Sequence, residues 1–245
     1  MIAELIRQGY FRQVTTEGRK EWILKNPVNV VIKKSVLDAL RAAYPPNEET
    51  GGILWAYPVN GDLIVTKFVI LPNQLPSPQR KTAYQPIGSN VQSSLAVASG
   101  ALPIRFHSHP VQIYENPYDK QPLTFFQKTS TADRHNSYLP LTIEGYTVVL
   151  PDGLLSANDR AATDIRFYLY GGLVAPDSLK ALLTSEKVYI YFTIAAVFLT
   201  FVFGSLKRAK TIFVVAALAS IAVFVQEKRP TGTTNSEGDL IISIP

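Results

Sequence analysis

The run Arg105-Phe106-His107-Ser108-His109-Pro110 is the stretch that most limits how this chain can fold. An apolar approach, Ala101-Leu102-Pro103-Ile104, leads into it and Pro110 stops it, so the run reads as a β-strand. Side chains alternate between the two faces of a strand. His107 and His109 therefore share one face, with Ile104, Phe106 and Ser108 on the other. Two imidazoles held side by side on a stiff element can grip one metal ion. The sequence has 3 histidines, and two of them are here.

Composition narrows the chemistry. There are no cysteines, which removes disulfides, thiolate metal sites and a cysteine nucleophile, so a metal must be held by His, Asp or Glu. The formal charge of +5 is modest and its basic residues are scattered, so no nucleic-acid partner is expected.

Residues 1–27 are mixed and basic (Arg7, Arg12, Arg19, Lys20, Lys25) and read as an N-terminal arm. Val28–Ile32 is β-branched and strand-like; Ser35 is placed to cap a helix carrying Val36, Leu37 and Leu40. Ile53–Tyr57 and Leu63–Leu71 flank Asn60-Gly61, a hairpin turn signal. A helix is expected over Asn90–Ala98. Leu141–Leu150 and Ile165–Tyr170 are strand-like, and residues 111–129 form a long polar and aromatic insertion. The pattern is α+β, with strands as the frame.

From Val188 the chain becomes almost wholly apolar to Leu206, and again over Thr211–Val225, with Lys207, Arg208 and Lys210 between. The first run approaches the ~20 residues that span a bilayer and the second is shorter, so residues 186–226 are expected to form a transmembrane helical hairpin. The alternative is a helix pair buried in a protein core. Met1–Arg7 lacks the features of a secretory signal. The expected location is therefore integral to the inner or cell membrane, in contact with lipid, with the folded domain facing the cytoplasm. Residues 227–245 read as a polar tail whose end, Leu240–Pro245, is a strand or a loose end.

Two further pieces join the histidines. Ser130-Thr131-Ala132-Asp133 supplies a carboxylate. Two His and one Asp leave a fourth zinc position open, the layout of a catalytic site rather than a closed structural one. Ser130, three residues before Asp133, could donate to a developing oxyanion; its plainer role is to cap a turn. Glu49, ahead of Gly51-Gly52, is placed to act as general acid/base, with Glu48 as its neighbouring competitor.

Together, Glu49-Thr50-Gly51-Gly52, His107-Ser108-His109-Pro110 and Ser130-x-x-Asp133 resemble the JAMM (MPN-plus) metalloprotease family, in particular its bacterial JAB-domain members. The resemblance covers residues 28–175 and does not extend to the apolar runs. It implies a mixed β-sheet flanked by helices, of the cytidine-deaminase-like kind. It also implies one catalytic Zn2+ held by His107, His109 and Asp133, with Glu49 as acid/base and Ser130 supporting the tetrahedral intermediate. The implied activity is that of a zinc isopeptidase or peptidase cutting after the C-terminal glycine of a ubiquitin-like modifier, as a conjugate or a precursor. Its implied partners are the modifier and the activating or conjugating enzymes of the same system.

One departure stands out. The gap between the second His and the Asp is 23 residues (110 to 132), longer than in typical members. Asp119 lies nearer the usual distance and is the second candidate ligand, but Asn116 rather than a serine precedes it by three. The inserted aromatics Tyr114, Tyr118, Phe125 and Phe126 suit a clamp or lid over an extended substrate, or a loop packed on the domain. His135 is either an outer partner of the site or a solvated loop residue. Two rival functions are a non-catalytic MPN-type scaffold and a zinc peptidase acting on small peptides.

Overall fold

Val30, Ile32, Leu63 and Val65 are fully buried and belong to neighbouring strands, and the main sheet is built outward from such residues. The computed structural model describes residues 1–16, 18–25, 28–111, 114–115, 122–123, 133, 136, 138–158, 161–171 and 232–244. In chain order these form α1 (Ile2–Arg7), β1 (Phe11–Thr16), β2 (Arg19–Leu24), β3 (Asn29–Ile32), α2 (Lys34–Ala42), β4 (Gly51–Val59), β5 (Asp62–Leu71), a single 3-10 turn (Gln79–Lys81), α3 (Ser89–Ala98) and β6 (Leu102–His109). There follow β7 (Tyr114–Glu115), β8 (Pro122–Leu123), β9 (Leu141–Ile143), β10 (Tyr146–Val149), β11 (Asp152–Ala157), β12 (Ile165–Tyr170), β13 (Thr233–Thr234) and β14 (Leu240–Ser243).

The main sheet has eight strands in the order β12-β11-β6-β4-β5-β3-β14-β13, and a four-stranded sheet runs β1-β2-β10-β9. The β4–β5 hairpin turns at Asn60 and Gly61, both at positive φ (50° and 92°), as the Asn-Gly signal requires. Strand β6 lies inside the main sheet, antiparallel to β4 and parallel to β11. Its core face carries Ile104, Phe106 and Ser108, at 0%, 2% and 0% exposure. The opposite face is thereby left to the histidines.

These observations correct the expected α+β fold of MPN/JAMM type, a sheet flanked by helices and followed by two transmembrane helices. The described residues form one large curled sheet, a four-stranded one and the two-stranded β7–β8 ribbon, with only three short α-helices of 6, 9 and 10 residues. The reason is that segments without a recognisable strand period gain their stability from ladder partners far away in sequence. The supposed arm is one: Phe11–Thr16 pairs with Arg19–Leu24, and Ile2, Leu5, Tyr10, Phe11, Ile23 and Leu24 are all buried. The supposed tail is another. Its β14 pairs with β3, with Ile242 and Ile244 at 0% and 1% exposure. Helix α2 has no side-chain cap of its own; the amide of Lys34 donates instead to Asp239 Oδ1 at 2.9 Å, from the C-terminal segment.

The expected transmembrane pair and the membrane location are also corrected. Among the described residues no helix is long and apolar enough to cross a membrane. An apolar run supplies only the composition of a span; crossing also needs about 20 residues in continuous helix. The chain divides into two compact units, Met1–Leu173 with Arg229–Pro245, and Val174–Lys228. The 186–226 segment falls in the second and lies outside the described residues.

Candidate metal centre

The site is assembled where β6 emerges between β4 and β11. His107 pairs with Gly51 on one side and Leu154 on the other. The amide of Ser108 donates to Thr50 O at 2.7 Å, and the amide of Thr50 donates to Ser108 Oγ at 3.0 Å. These bonds lock the end of β6 to the residue that follows Glu49. Gly51 is required by close approach: a Cβ there would lie 2.3 Å from Phe106 O and 2.8 Å from His107 Cα. Backbone cannot yield to such a contact without moving the histidine strand.

His107 Nε2 and His109 Nε2 face each other at 3.1 Å. Asp133 closes the group, with Oδ1 3.4 Å from His107 Nε2 and Oδ2 3.2 Å from His109 Nε2. The three side chains are 12%, 14% and 16% exposed. Such spacings have a simple geometric meaning. Two ligands bound tetrahedrally at ~2.0–2.1 Å from one zinc ion lie roughly 3.3 Å apart. Two imidazole nitrogens and a carboxylate oxygen are a zinc-type donor set, and the group could hold a metal ion. Burial lowers the pKa of His107, while its hydrogen bond to Asp133 raises it. The neutral ring that burial favours is the form that binds metal.

Glu49 is 9% exposed and its backbone is held on both sides. Its amide donates to Arg80 O at 2.6 Å, and Asn73 Nδ2 donates to its carbonyl at 3.2 Å. Burial pushes its carboxyl up to about 7, with His109 opposing and Asp133 reinforcing the shift. A carboxyl group poised there can both take and return a proton near neutral pH.

No family model and no curated protein matches the chain. Among solved structures, it is similar to a protein from Desulfitobacterium hafniense (17% identity, 58% of this chain and 84% of that one, TM-score 0.37). It is also similar to a protein from Salinibacter ruber (21% identity, 60% of this chain and 82% of that one, TM-score 0.31).

The structure thus brings His107, His109 and Asp133 together and leaves Glu49 close enough to feel two of them. Ser130, Asp119 and His135 lie outside the described residues. Three neighbours escaped the sequence reading. Tyr170 Oη lies 3.2 Å from His107 Nδ1, and Arg105 forms a two-pronged pair with Asp152 at 3.0 and 3.1 Å. Arg105 was open to detection, because it stands two residues before His107 and so shares its face. Asp152 and Tyr170 gave no local signal. They reach the site only through the pairing of β11 with β6 and of β12 with β11.

Proposed function

We propose that this protein is a zinc-dependent hydrolase of amide bonds, using His107, His109 and Asp133 to hold the ion and Glu49 to move protons. The observation that carries the reading is that the two imidazole nitrogens stand 3.1 Å apart, each with an Asp133 carboxylate oxygen 3.2–3.4 Å away, so that one ligand atom from each residue gathers within 4.8 Å. A zinc ion held by His107, His109 and Asp133 would supply Lewis acidity, lowering the pKa of a water molecule toward neutrality and polarising a carbonyl oxygen. Glu49 accepts the proton that water gives up and delivers it to the departing amine. Its burial favours the protonated carboxyl, which suits a group that must return a proton as well as take one.

The substrate follows from the motif. Its resemblance to the JAMM pattern directs the activity to the isopeptide or peptide bond after the C-terminal glycine of a ubiquitin-like modifier. The modifier and the enzymes that activate or conjugate it are the proposed partners. Ser130 keeps the role the resemblance implies, support of the tetrahedral intermediate.

The test is cleavage of a Gly-Gly-linked protein substrate with zinc present, set beside metal content. The expected result is one zinc per chain and turnover in the wild type. His107→Ala with His109→Ala should lose both, and Glu49→Gln should keep zinc and lose turnover. Zinc binding without cleavage by the wild type would remove the hydrolase and leave a bare metal site.

A further inference from the structure

His107 and His109 are fixed by their strand, but Asp133 comes from outside the two larger sheets and must be held by something else. Arg105 is on the histidine face of β6. Its Nε donates to Asp152 Oδ1 at 3.0 Å and its Nη2 to Asp152 Oδ2 at 3.1 Å, and the same Nη2 donates to the main-chain carbonyl of Asn136 at 2.9 Å. Asn136 lies three residues beyond Asp133. The amide of Leu139 donates to the same carbonyl at 3.1 Å, so that oxygen is doubly held.

Asp152 opens β11, the strand parallel to β6, with Gly153 paired to Phe106. Carboxylate and guanidinium therefore project from adjacent sheet positions and meet in the planar, two-bond geometry that suits Arg and not Lys. The pair is mostly buried, with side-chain exposures of 29% for Arg105 and 10% for Asp152. An aligned fork on a rigid platform leaves its third donor direction fixed, and that direction ends on the segment carrying the third metal ligand.

We infer that Arg105, oriented by Asp152, is a positioning residue that holds the Asn136 carbonyl to the sheet and thereby sets Asp133, three residues earlier, as the third ligand of the metal centre. This rests on the metal-site reading given above. It assigns to Arg105 an effect on metal affinity that passes chiefly through Asp133. A guanidinium that only stabilised the sheet would not show that dependence.

The experiment is calorimetric titration of the full metal-free chain with Zn2+. Wild type, Arg105→Gln, Arg105→Lys, Asp133→Ala and the Arg105→Gln/Asp133→Ala double variant are compared, with unfolding of each followed without metal. Loss of an outer partner of a metal ligand typically costs about 10–100-fold in affinity. That loss is expected for Arg105→Gln, with partial recovery in Arg105→Lys. In the Asp133→Ala background, where only the histidines remain, the Arg105→Gln change should largely vanish, a non-additivity that marks direct coupling. Equal weakening in both backgrounds, or unchanged affinity in Arg105→Gln, overturns the inference while leaving the metal site intact. Absence of zinc binding by the wild type overturns both. Should Arg105→Gln fail to fold, Asp152→Asn carries the same cycle, since it removes the charge that aligns the fork.

Discussion

Tyr170 Oη lies 3.2 Å from His107 Nδ1, the ring nitrogen opposite the one that faces Asp133. A metal on Nε2 needs the lone pair there, which puts the ring proton on Nδ1, where it donates to the tyrosine oxygen. Tyr170→Phe keeps the ring and removes that acceptor. Zinc affinity should fall by about 10–100-fold, while metal-free stability drops by only about 1 kcal/mol. Zinc titration and denaturant unfolding of the same variant check the two halves; an unchanged affinity would show that Tyr170 is packing only.

Glu49 gives a pH prediction with a definite sign. Its folded value is raised, from 4.5 to about 7, mainly by burial. The native state therefore holds this proton more tightly than the unfolded chain does. That stabilisation is present below the ordinary carboxylate value and is lost as pH rises through about 7. Glu49→Gln cannot ionise, so the metal-free variant should gain on the wild type by about 2 kcal/mol between pH 5 and pH 8. Unfolding curves at the two pH values measure it, and a constant difference would show that Glu49 is well solvated. The same substitution should keep zinc binding and abolish cleavage, a cost in stability retained for activity.

The glycine pair that opens β4 should tolerate no side chain. A Cβ on Gly52 would lie 1.8 Å from Val69 O, which is backbone, and one on Gly51 would press on Phe106 O and His107 Cα. Gly52→Ala should cost about 3 kcal/mol or more of stability. Gly51→Ala should also weaken zinc binding, because one of the atoms it presses on, His107 Cα, belongs to a ligand residue. Thermal unfolding with and without zinc distinguishes the two: the zinc-dependent shift should shrink only in Gly51→Ala.

The C-terminal segment should be structural. Asp239 accepts from Lys33 Nζ at 2.7 Å and from the Lys34 amide at 2.9 Å, and these bonds hold its carboxyl below the ordinary range. Its contribution is present above that range and lost as pH falls through the lowered folded value. Asp239→Ala should therefore destabilise the protein at pH 7 and lose that effect in strong acid. Deletion of residues 232–245 should be worse, since it strips β14 from β3 and removes the buried Ile242 and Ile244 from the core. Urea unfolding at pH 7 and acid pH checks the first. A stable, fully folded deletion variant would contradict the second.

Local chemistry made part of this legible in sequence. The period-two spacing of His107 and His109, the Asn60-Gly61 turn and the helix over Asn90–Ala98 all depend on residues within a few positions of one another. What was not legible depends on distance along the chain. Residues 141–150 read as one strand, yet Glu144 and Gly145 adopt positive φ (50° and 79°) and fold them into the β9–β10 hairpin. Glu144 there accepts from the N-terminal amine of Met1 and from the Ile2 amide. Phe11–Leu24 lacked a clean alternation because adjacent residues share a burial state, with Arg12 and Gln13 both exposed, Ile23 and Leu24 both buried, and the charged Glu21 on the buried side; its pairing with β10 is with a strand far along the chain. At the site, ligands of one strand were visible together, whereas Asp152 and Tyr170 arrive by sheet order, which no local pattern encodes.

X-ray absorption at the zinc edge, on protein loaded with one equivalent of the ion, tests the central claim most directly. The account predicts a four-coordinate shell with two imidazole nitrogens and carboxylate and water oxygens at ~2.0–2.1 Å. The imidazole signature should disappear in His107→Ala with His109→Ala, and one oxygen should be lost in Asp133→Ala. A six-oxygen shell, or one containing fewer than two imidazoles in the wild type, would contradict it.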